Sequence, residues 1–365
     1  MGIDSTVRKE IGRTGSRAIV ARAPVRVDFA GGWTDVPKFS SIKPGIVVNA
    51  AITLYTYVTV RDIGNVNNAG YSLEIIDPKH STAINMYSVD LDVYESVKSV
   101  ADIEYNGSLD LAKAACKRYG VEGVEIITGT DAPVGSGLGT SASLGVALVT
   151  AISRFADKRE ASWRAADIAY RLETEELELL SGLQDQYAAA LGGINIFKCV
   201  GDTVYQNSTG TITDSMYYEL ERRLVLCYTD QARLSSDIHR KVYDVFDKGD
   251  NVEAIDRLRV SGKWASEAFN TRSLDTLISA MDLSWDNQKK LHGSITNEGV
   301  DYFFQVAKEN GMITGKACGA GGGGCLLFLA DKGKEHILKK ALKNVGGTII
   351  DFKFDLNGVI SWQEV

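Results

Sequence analysis

From residue 133 the chain reads Pro133-Val134-Gly135-Ser136-Gly137-Leu138-Gly139-Thr140-Ser141-Ala142-Ser143, and a run rich in Ala, Leu and Val continues to residue 155. That run has the length and propensity of a buried helix. Ahead of the glycines, 124–128 reads as a strand and Asp131-Ala132-Pro133 as a turn. Glycine lets the backbone approach a ligand closely, and a helix start offers unpaired N–H groups at the positive end of its dipole. Together they predict an anion site suited to a phosphate chain. Thr140, Ser141 and Ser143 add hydroxyls at the same place, and one of them has the chemistry to ligate Mg²⁺. Two other phosphate loops are excluded. The spacing is not the G-x-G-x-x-G of a dinucleotide fold, with no convincing acidic residue about twenty positions on, and no Gly-Lys-Ser/Thr of a Walker A loop occurs.

With 365 residues, 44% of them hydrophobic and 24% charged, the chain has material for two domains. A formal charge of −7 argues against a nucleic-acid surface, which needs clustered Lys and Arg. It leaves room for a phosphate site built from a few cations and backbone N–H groups. Cys116, Cys199, Cys227, Cys318 and Cys325 show neither C-x-x-C spacing nor a zinc-like His partner. They read as free thiols in a reducing cytoplasm. Residues 1–17 lack the apolar core of a signal peptide and read as a poorly ordered tail, although Met1-Gly2 and Thr6 superficially fit a myristoylation pattern. No stretch approaches the roughly 18 apolar residues of a membrane span. A cytoplasmic protein without nucleic-acid or membrane partners is expected.

Strands are expected over 18–28, 46–61, 71–76 and 194–199, and helices over 109–119, 162–180 and 183–191. After a strand at 223–228 come amphipathic helices over 238–247, 252–269, 274–292 and 299–310. A strand at 325–329, a helix over 333–344 and strands over 348–354 and 359–362 finish the chain. The mixture has no regular βαβ repeat, so the fold class is α+β in two domains, 18–205 and 206–365.

Two more segments resemble a known family. They are Ala21-Arg22-Ala23-Pro24-Val25-Arg26-Val27-Asp28-Phe29-Ala30-Gly31-Gly32-Trp33-Thr34-Asp35 and Gly315-Lys316-Ala317-Cys318-Gly319-Ala320-Gly321-Gly322-Gly323-Gly324-Cys325. With the 133–143 loop they form, in order, three motifs similar to those of the GHMP kinases, from residue 21 to 325. The resemblance implies a mixed N-terminal domain with the ATP loop, a ferredoxin-like C-terminal domain, and ATP with Mg²⁺ as cofactors.

It also implies roles. Pro133, Gly135, Ser136, Gly137, Leu138, Gly139, Thr140, Ser141 and Ser143 would hold ATP, with Ser141 on the metal. In similar kinases a Glu about twelve residues before the catalytic Asp is the companion ligand. Ser181-Gly182-Leu183-Gln184-Asp185 looks like the segment carrying that Asp, which makes Asp185 and Glu173 the candidates, with Glu175 and Glu176 close by. Asp185 would accept the proton of the attacking hydroxyl or orient that hydroxyl, and Arg26 would supply fixed positive charge. Gly322, in the third, close-approach loop, would contact the substrate, as would Gly32 and Thr34.

The stretch Gly32-Trp33-Thr34-Asp35 departs from galactokinases, where Glu-His stands in place of Gly32-Trp33. It is similar to D-glycero-D-manno-heptose 7-phosphate kinases and to the kinase region of L-fucokinases. The implied reaction is phosphorylation of an anomeric hydroxyl. Heptose 7-phosphate comes first as substrate, an unphosphorylated sugar such as fucose second, and a non-catalytic sugar- or ATP-binding relative is a further alternative. Asp35 would bind sugar hydroxyls, Trp33 would stack on the ring, and Arg233 would meet a substrate phosphate, with Lys289 and Lys290 as weaker candidates. A homodimer stays open.

Overall fold

A computed structural model describes residues 17–63, 82–207, 214–231 and 235–364. The expected strand over 71–76, most of the N-terminal tail and Arg233 lie outside these. Two sheets organise the rest. The first is built on a long antiparallel pair, β1 (Ala18–Ala30) and β2 (Gly45–Asp62). From Leu54 to Val60 every second residue of β2 is buried, as one covered face requires. From Val47 to Ile52 burial is continuous, because that end is covered on both faces.

β3 (Ile84–Ser88), β4 (Val93–Val97) and β5 (Val124–Thr130) extend this sheet beyond β2. β6 (Ile194–Val200) pairs with the other end of β2, and β7 (Thr203–Asn207) with β6. The last strand, β12 (Ile360–Gln363), returns to pair with β1, so the C-terminus closes the first sheet although sequence order groups it with the second half.

The second sheet has the order β11-β8-β10-β9, all antiparallel: β8 (Leu224–Tyr228), β9 (Met312–Ala317), β10 (Cys325–Ala330) and β11 (Thr348–Ile350). Helices separate β8 from β9 and β10 from β11, which is the ferredoxin-like split βαβ arrangement. The protein is therefore a two-domain α+β fold.

Of the helices, α1 (Pro37–Ser40) and α2 (Asp110–Tyr119) precede the glycine loop, and α3 (Thr140–Phe155) begins at its end. Gly120 caps α2 in the left-handed region, the C-cap its position predicts. In α3, Val146, Leu148, Val149 and Ile152 are fully buried, each contributing about 2 kcal/mol. Such burial pins the loop that feeds the helix. α4 (Ser162–Arg171) leads into a π-helical turn at Leu172–Glu176, and α5 (Gln184–Leu191) follows. The single helix expected over 162–180 is thus corrected: it changes pitch at Leu172 and ends at Glu176. The strand expected over 348–354 likewise stops at Ile350.

α6 (Asp214–Arg223), α7 (Ser235–Asp247), α8 (Val252–Thr271), α9 (Leu274–Gln288), α10 (Glu298–Glu309) and α11 (Glu335–Asn344) complete the second half. All five cysteines are free and buried. Among the described residues no helix is long and apolar enough to cross a membrane.

Candidate active site

The glycine loop turns left-handed at every second residue, with φ of 69° at Gly135, 73° at Gly137 and 75° at Gly139. This alternation is why the pattern is G-x-G-x-G: an L side chain at any of the three would be strained. Such winding turns successive N–H groups to one side as an anion-binding concavity, here at the start of α3. The third motif packs against the loop backbone to backbone. Cys325 N donates to Ser136 O at 2.7 Å, and a Cβ on Gly324 would stand 2.7 Å from the same oxygen. The two glycine segments border one cleft of about 440 Å³.

Arg26 and Asp185 meet in this cleft. Arg26 lies on β1 and Asp185 in the first turn of α5. The guanidinium donates from Nε and Nη2 to both carboxylate oxygens at 2.7 Å, and from Nη1 to Gly137 O at 2.7 Å. Burial opposes the charge on Arg26, but Asp185 and then Asp28 outweigh it and raise its pKa. The carboxylate stays partly open to the cleft, at 23% exposure against 4% for Arg26.

Ser141 Oγ donates to Glu173 Oε1 at 2.6 Å, and Gln186 Nε2 donates to the other oxygen at 2.6 Å. The π turn makes this geometry, since the altered pitch carries Glu173 inward. Glu175 and Glu176 point away and pair with Arg171 and Lys117, which separates the three neighbouring acids. Burial pushes the Glu173 carboxyl up, against the hydrogen bonds from Ser141 and Gln186.

Across the cleft, Asp35 is 2% exposed and accepts from Gln184 N at 3.1 Å and Gln184 Nε2 at 3.4 Å. Burial, then the charge of Asp185, pushes its carboxyl up to about 6. Trp33 holds a left-handed backbone, φ 75°, and meets His239 of α7 edge-on at 4.8 Å. His239 Nδ1 donates to Leu180 O at 3.2 Å, and burial holds the imidazole below its ordinary pKa.

Beneath the cleft Lys316 of β9 is fully buried and donates to Asp28 Oδ2 and, at 3.0 Å, to Ala317 O. Gly319 N donates to Asp28 Oδ1 at 3.3 Å. Burial alone would raise the Asp28 carboxyl, but Lys316 and Arg26 hold it below the usual range.

Several expected residues therefore come together: Arg26, Gly32, Trp33, Asp35 and Asp185 line one cleft with Gly135, Ser136, Gly137, Gly139, Thr140, Ser141 and Glu173. Others do not line it. Ser143 is buried, shared between Thr56 Oγ1 at 2.7 Å and Ala23 O at 2.8 Å, so its hydroxyl holds α3 to the sheet. Leu138 is in the core, its carbonyl accepting from Arg26 N. Pro133 precedes the lining, where its carbonyl accepts from Ser136 N. Thr34 closes its own turn by donating to Gly31 O at 2.7 Å. Gly322 donates to Ile295 O and lies behind the lining. Lys289 and Lys290 engage Asp286 and Asn287 on α9, away from the cleft.

Gln184, Gln186, His239 and the pair Lys316–Asp28 escape the sequence reading. Asp28 had a signal: it sits two residues after Arg26 on a strand and so shares its face. Lys316 stands second in the third motif, but nothing in the sequence links it to a carboxylate 288 positions away.

Two family models match in order. The GHMP kinases N terminal domain covers residues 106–193 and the GHMP kinases C terminal domain covers 265–347. A D-glycero-alpha-D-manno-heptose 7-phosphate kinase from Campylobacter jejuni is 29% identical over 95% of this chain and 99% of its own. A bifunctional fucokinase/GDP-fucose pyrophosphorylase from Arabidopsis thaliana is 30% identical over 86% of this chain, which spans only 30% of that protein. The crystal structure of a D-glycero-D-manno-heptose 1-phosphate kinase from Bacteroides thetaiotaomicron superposes with a TM-score of 0.75 at 26% identity, covering 95% of this chain and 99% of the other. Matched in both halves and along nearly its whole length, the chain belongs to the GHMP kinase family.

Proposed function

We propose that this protein is an ATP-dependent sugar kinase that phosphorylates the anomeric hydroxyl of D-glycero-D-manno-heptose 7-phosphate, with Asp185 at the attacking oxygen. The observation that carries the reading is the Arg26–Asp185 pair, forked at 2.7 Å and still open to a cleft bounded by the glycine loop on one side and Asp35 on the other.

Phosphoryl transfer asks a protein for positioning and charge neutralisation more than for covalent chemistry. The N–H groups of residues 135–141 hold the triphosphate at the start of α3. Ser141 Oγ and Glu173 are hard oxygen donors in contact, and two such donors suit Mg²⁺, which keeps its other positions for phosphate and water. When bound there, the metal neutralises charge on the phosphate oxygens. Asp35 accepts hydrogen bonds from sugar hydroxyls once ionised. Asp185 accepts the proton of the attacking hydroxyl; the sugar oxygen bonds to the γ-phosphorus as the bond to the β-phosphate oxygen breaks, and ADP leaves. Asp is a weak base toward an alcohol, but in a loose transition state the proton moves late. Arg26 holds the Asp185 carboxylate in place with its two-armed fork and sets a positive charge beside it.

The heptose reading rests on the relatives. The two heptose kinases carry the phosphate at different positions in their names, 7 and 1, and agree on a heptose phosphate. One observation favours an unphosphorylated sugar such as fucose as the second reading. Among the described residues lining the cleft Arg26 is the sole Arg or Lys, and Asp185 occupies it. A coupled ADP-release screen over heptose 7-phosphate, fucose, mannose, galactose and uronic acids decides. Heptose 7-phosphate is expected to give the highest kcat/KM; fucose ahead of it selects the second reading, and no turnover on any sugar overturns both.

A further inference from the structure

Lys316 takes no part in the transfer chemistry above, yet it is fully buried, and so is its partner Asp28 at 2% exposure. A buried ion pair carries a desolvation cost that well-packed apolar residues of equal volume avoid, so it is weak as a stabilising device. Its placement points elsewhere. Arg26 and Asp28 occupy one face of β1, two residues apart, and both Asp185 and Asp28 act on the Arg26 charge. Arg26 thus has two carboxylates within electrostatic reach and gives both arms of its fork to one, Asp185. Asp28 is taken up from the other side, by Lys316 Nζ on one oxygen and Gly319 N on the other. The charges alternate from α5 through β1 to β9: Asp185, Arg26, Asp28, Lys316.

We propose that Lys316 is a positioning residue that neutralises Asp28 and thereby reserves the Arg26 fork for Asp185. It does so from β9 of the second sheet, and the Gly319 contact ties the start of the third glycine segment to the same carboxylate. The role rests on the reading of Asp185 as the group at the attacking oxygen. It accounts for a lysine at a position where methionine would fill the space without a charge. Without the ammonium, Asp28 competes for Arg26 and draws the fork from Asp185. Without the Asp28 charge as well, no competitor remains.

The test compares Lys316→Met, Asp28→Asn and the double variant by ADP release, per folded protein and well below each melting temperature. ATP–Mg²⁺ is paired with whichever sugar of the panel the wild type turns over fastest. Lys316→Met is expected to lower kcat about 30-fold while KM for ATP and sugar each stay within about threefold, the mark of an interaction that matters in the transition state. The double variant is expected to recover kcat to within about fivefold of wild type, because both charges leave together. If Lys316→Met does not fold, Lys316→Gln takes its place, alone and combined with Asp28→Asn, with the same loss and the same recovery expected. Full kcat in Lys316→Met, a double variant no faster than Lys316→Met, or an Asp28→Asn variant as slow as Lys316→Met overturns the proposal, since a neutral residue 28 leaves Arg26 without a competitor. Asp185→Asn separates the two failures. If it is inactive and no recovery occurs, the role of Lys316 alone falls; if it retains wild-type turnover, the transfer reading falls and this role with it.

Discussion

Arg26 holds both carboxylate oxygens of Asp185 at 2.7 Å, joining residues 159 positions apart in sequence. The geometry is a planar fork on a planar carboxylate, and a third arm reaches Gly137 O of the glycine loop. Lysine keeps the charge but cannot make three directed contacts from one plane. Arg26→Lys is therefore expected to lower kcat by about 10²-fold with smaller changes in KM. Steady-state kinetics checks this, and a lysine variant within about twofold of wild type would show that charge alone suffices.

Ser141 and Glu173 predict a metal dependence. Removing the hydroxyl by Ser141→Ala or the carboxylate charge by Glu173→Gln is expected to raise the Mg²⁺ concentration for half-maximal activity about tenfold, with kcat at saturating metal reduced less. Glu175→Gln is the control, since Glu175 pairs with Arg171 on the outer side of the turn. A titration in which all three variants match wild type would remove the metal from this corner.

Asp35 predicts a pH dependence of stability. Its folded pKa of about 6 stands above the ordinary value of 3.8, because burial and then Asp185 disfavour its charge. The stability it contributes is fully present below pH 3.8 and is lost as pH rises through about 6. The loss is at most on the order of 3 kcal/mol, since one pKa unit corresponds to about 1.4 kcal/mol. Urea unfolding of wild type and Asp35→Asn is expected to show wild type losing stability relative to the variant between pH 4 and 7. Parallel curves would contradict the burial of an ionisable Asp35.

Gly324 tests the packing of the two glycine segments. A Cβ there would lie 2.7 Å from the carbonyl oxygens of both Gly135 and Ser136, at φ 76°. Backbone against backbone has no soft side to yield, so Gly324→Ala displaces the ATP loop. KM for ATP is expected to rise about tenfold, and KM for the sugar much less. Equal changes in the two constants would point to general unfolding.

Much of this site was legible in the sequence, because the parts that close around phosphate must be glycine and must be local. The alternation Gly135-x-Gly137-x-Gly139 announces left-handed turns at alternate residues, and the apolar run after it announces α3. What stayed hidden is long-range or depends on helix pitch. Spacing to Asp185 put Glu173 forward but left Glu175 and Glu176 close by, and the π turn that carries Glu173 alone inward alters the periodicity on which spacing arguments rest. Ser143 has the composition of a phosphate ligand and the position of a core hydroxyl, and only the partners Thr56 and Ala23 decide between them. His239 arrives from α7, an ordinary amphipathic helix with no motif of its own.

The most direct test follows the phosphorus itself. ³¹P NMR of the protein with ATP, Mg²⁺ and heptose 7-phosphate is expected to show ADP and a new anomeric sugar phosphate growing together. Under the same conditions Asp185→Asn is expected to be slower by about 10³-fold. A sugar phosphate formed equally fast by Asp185→Asn would contradict the account.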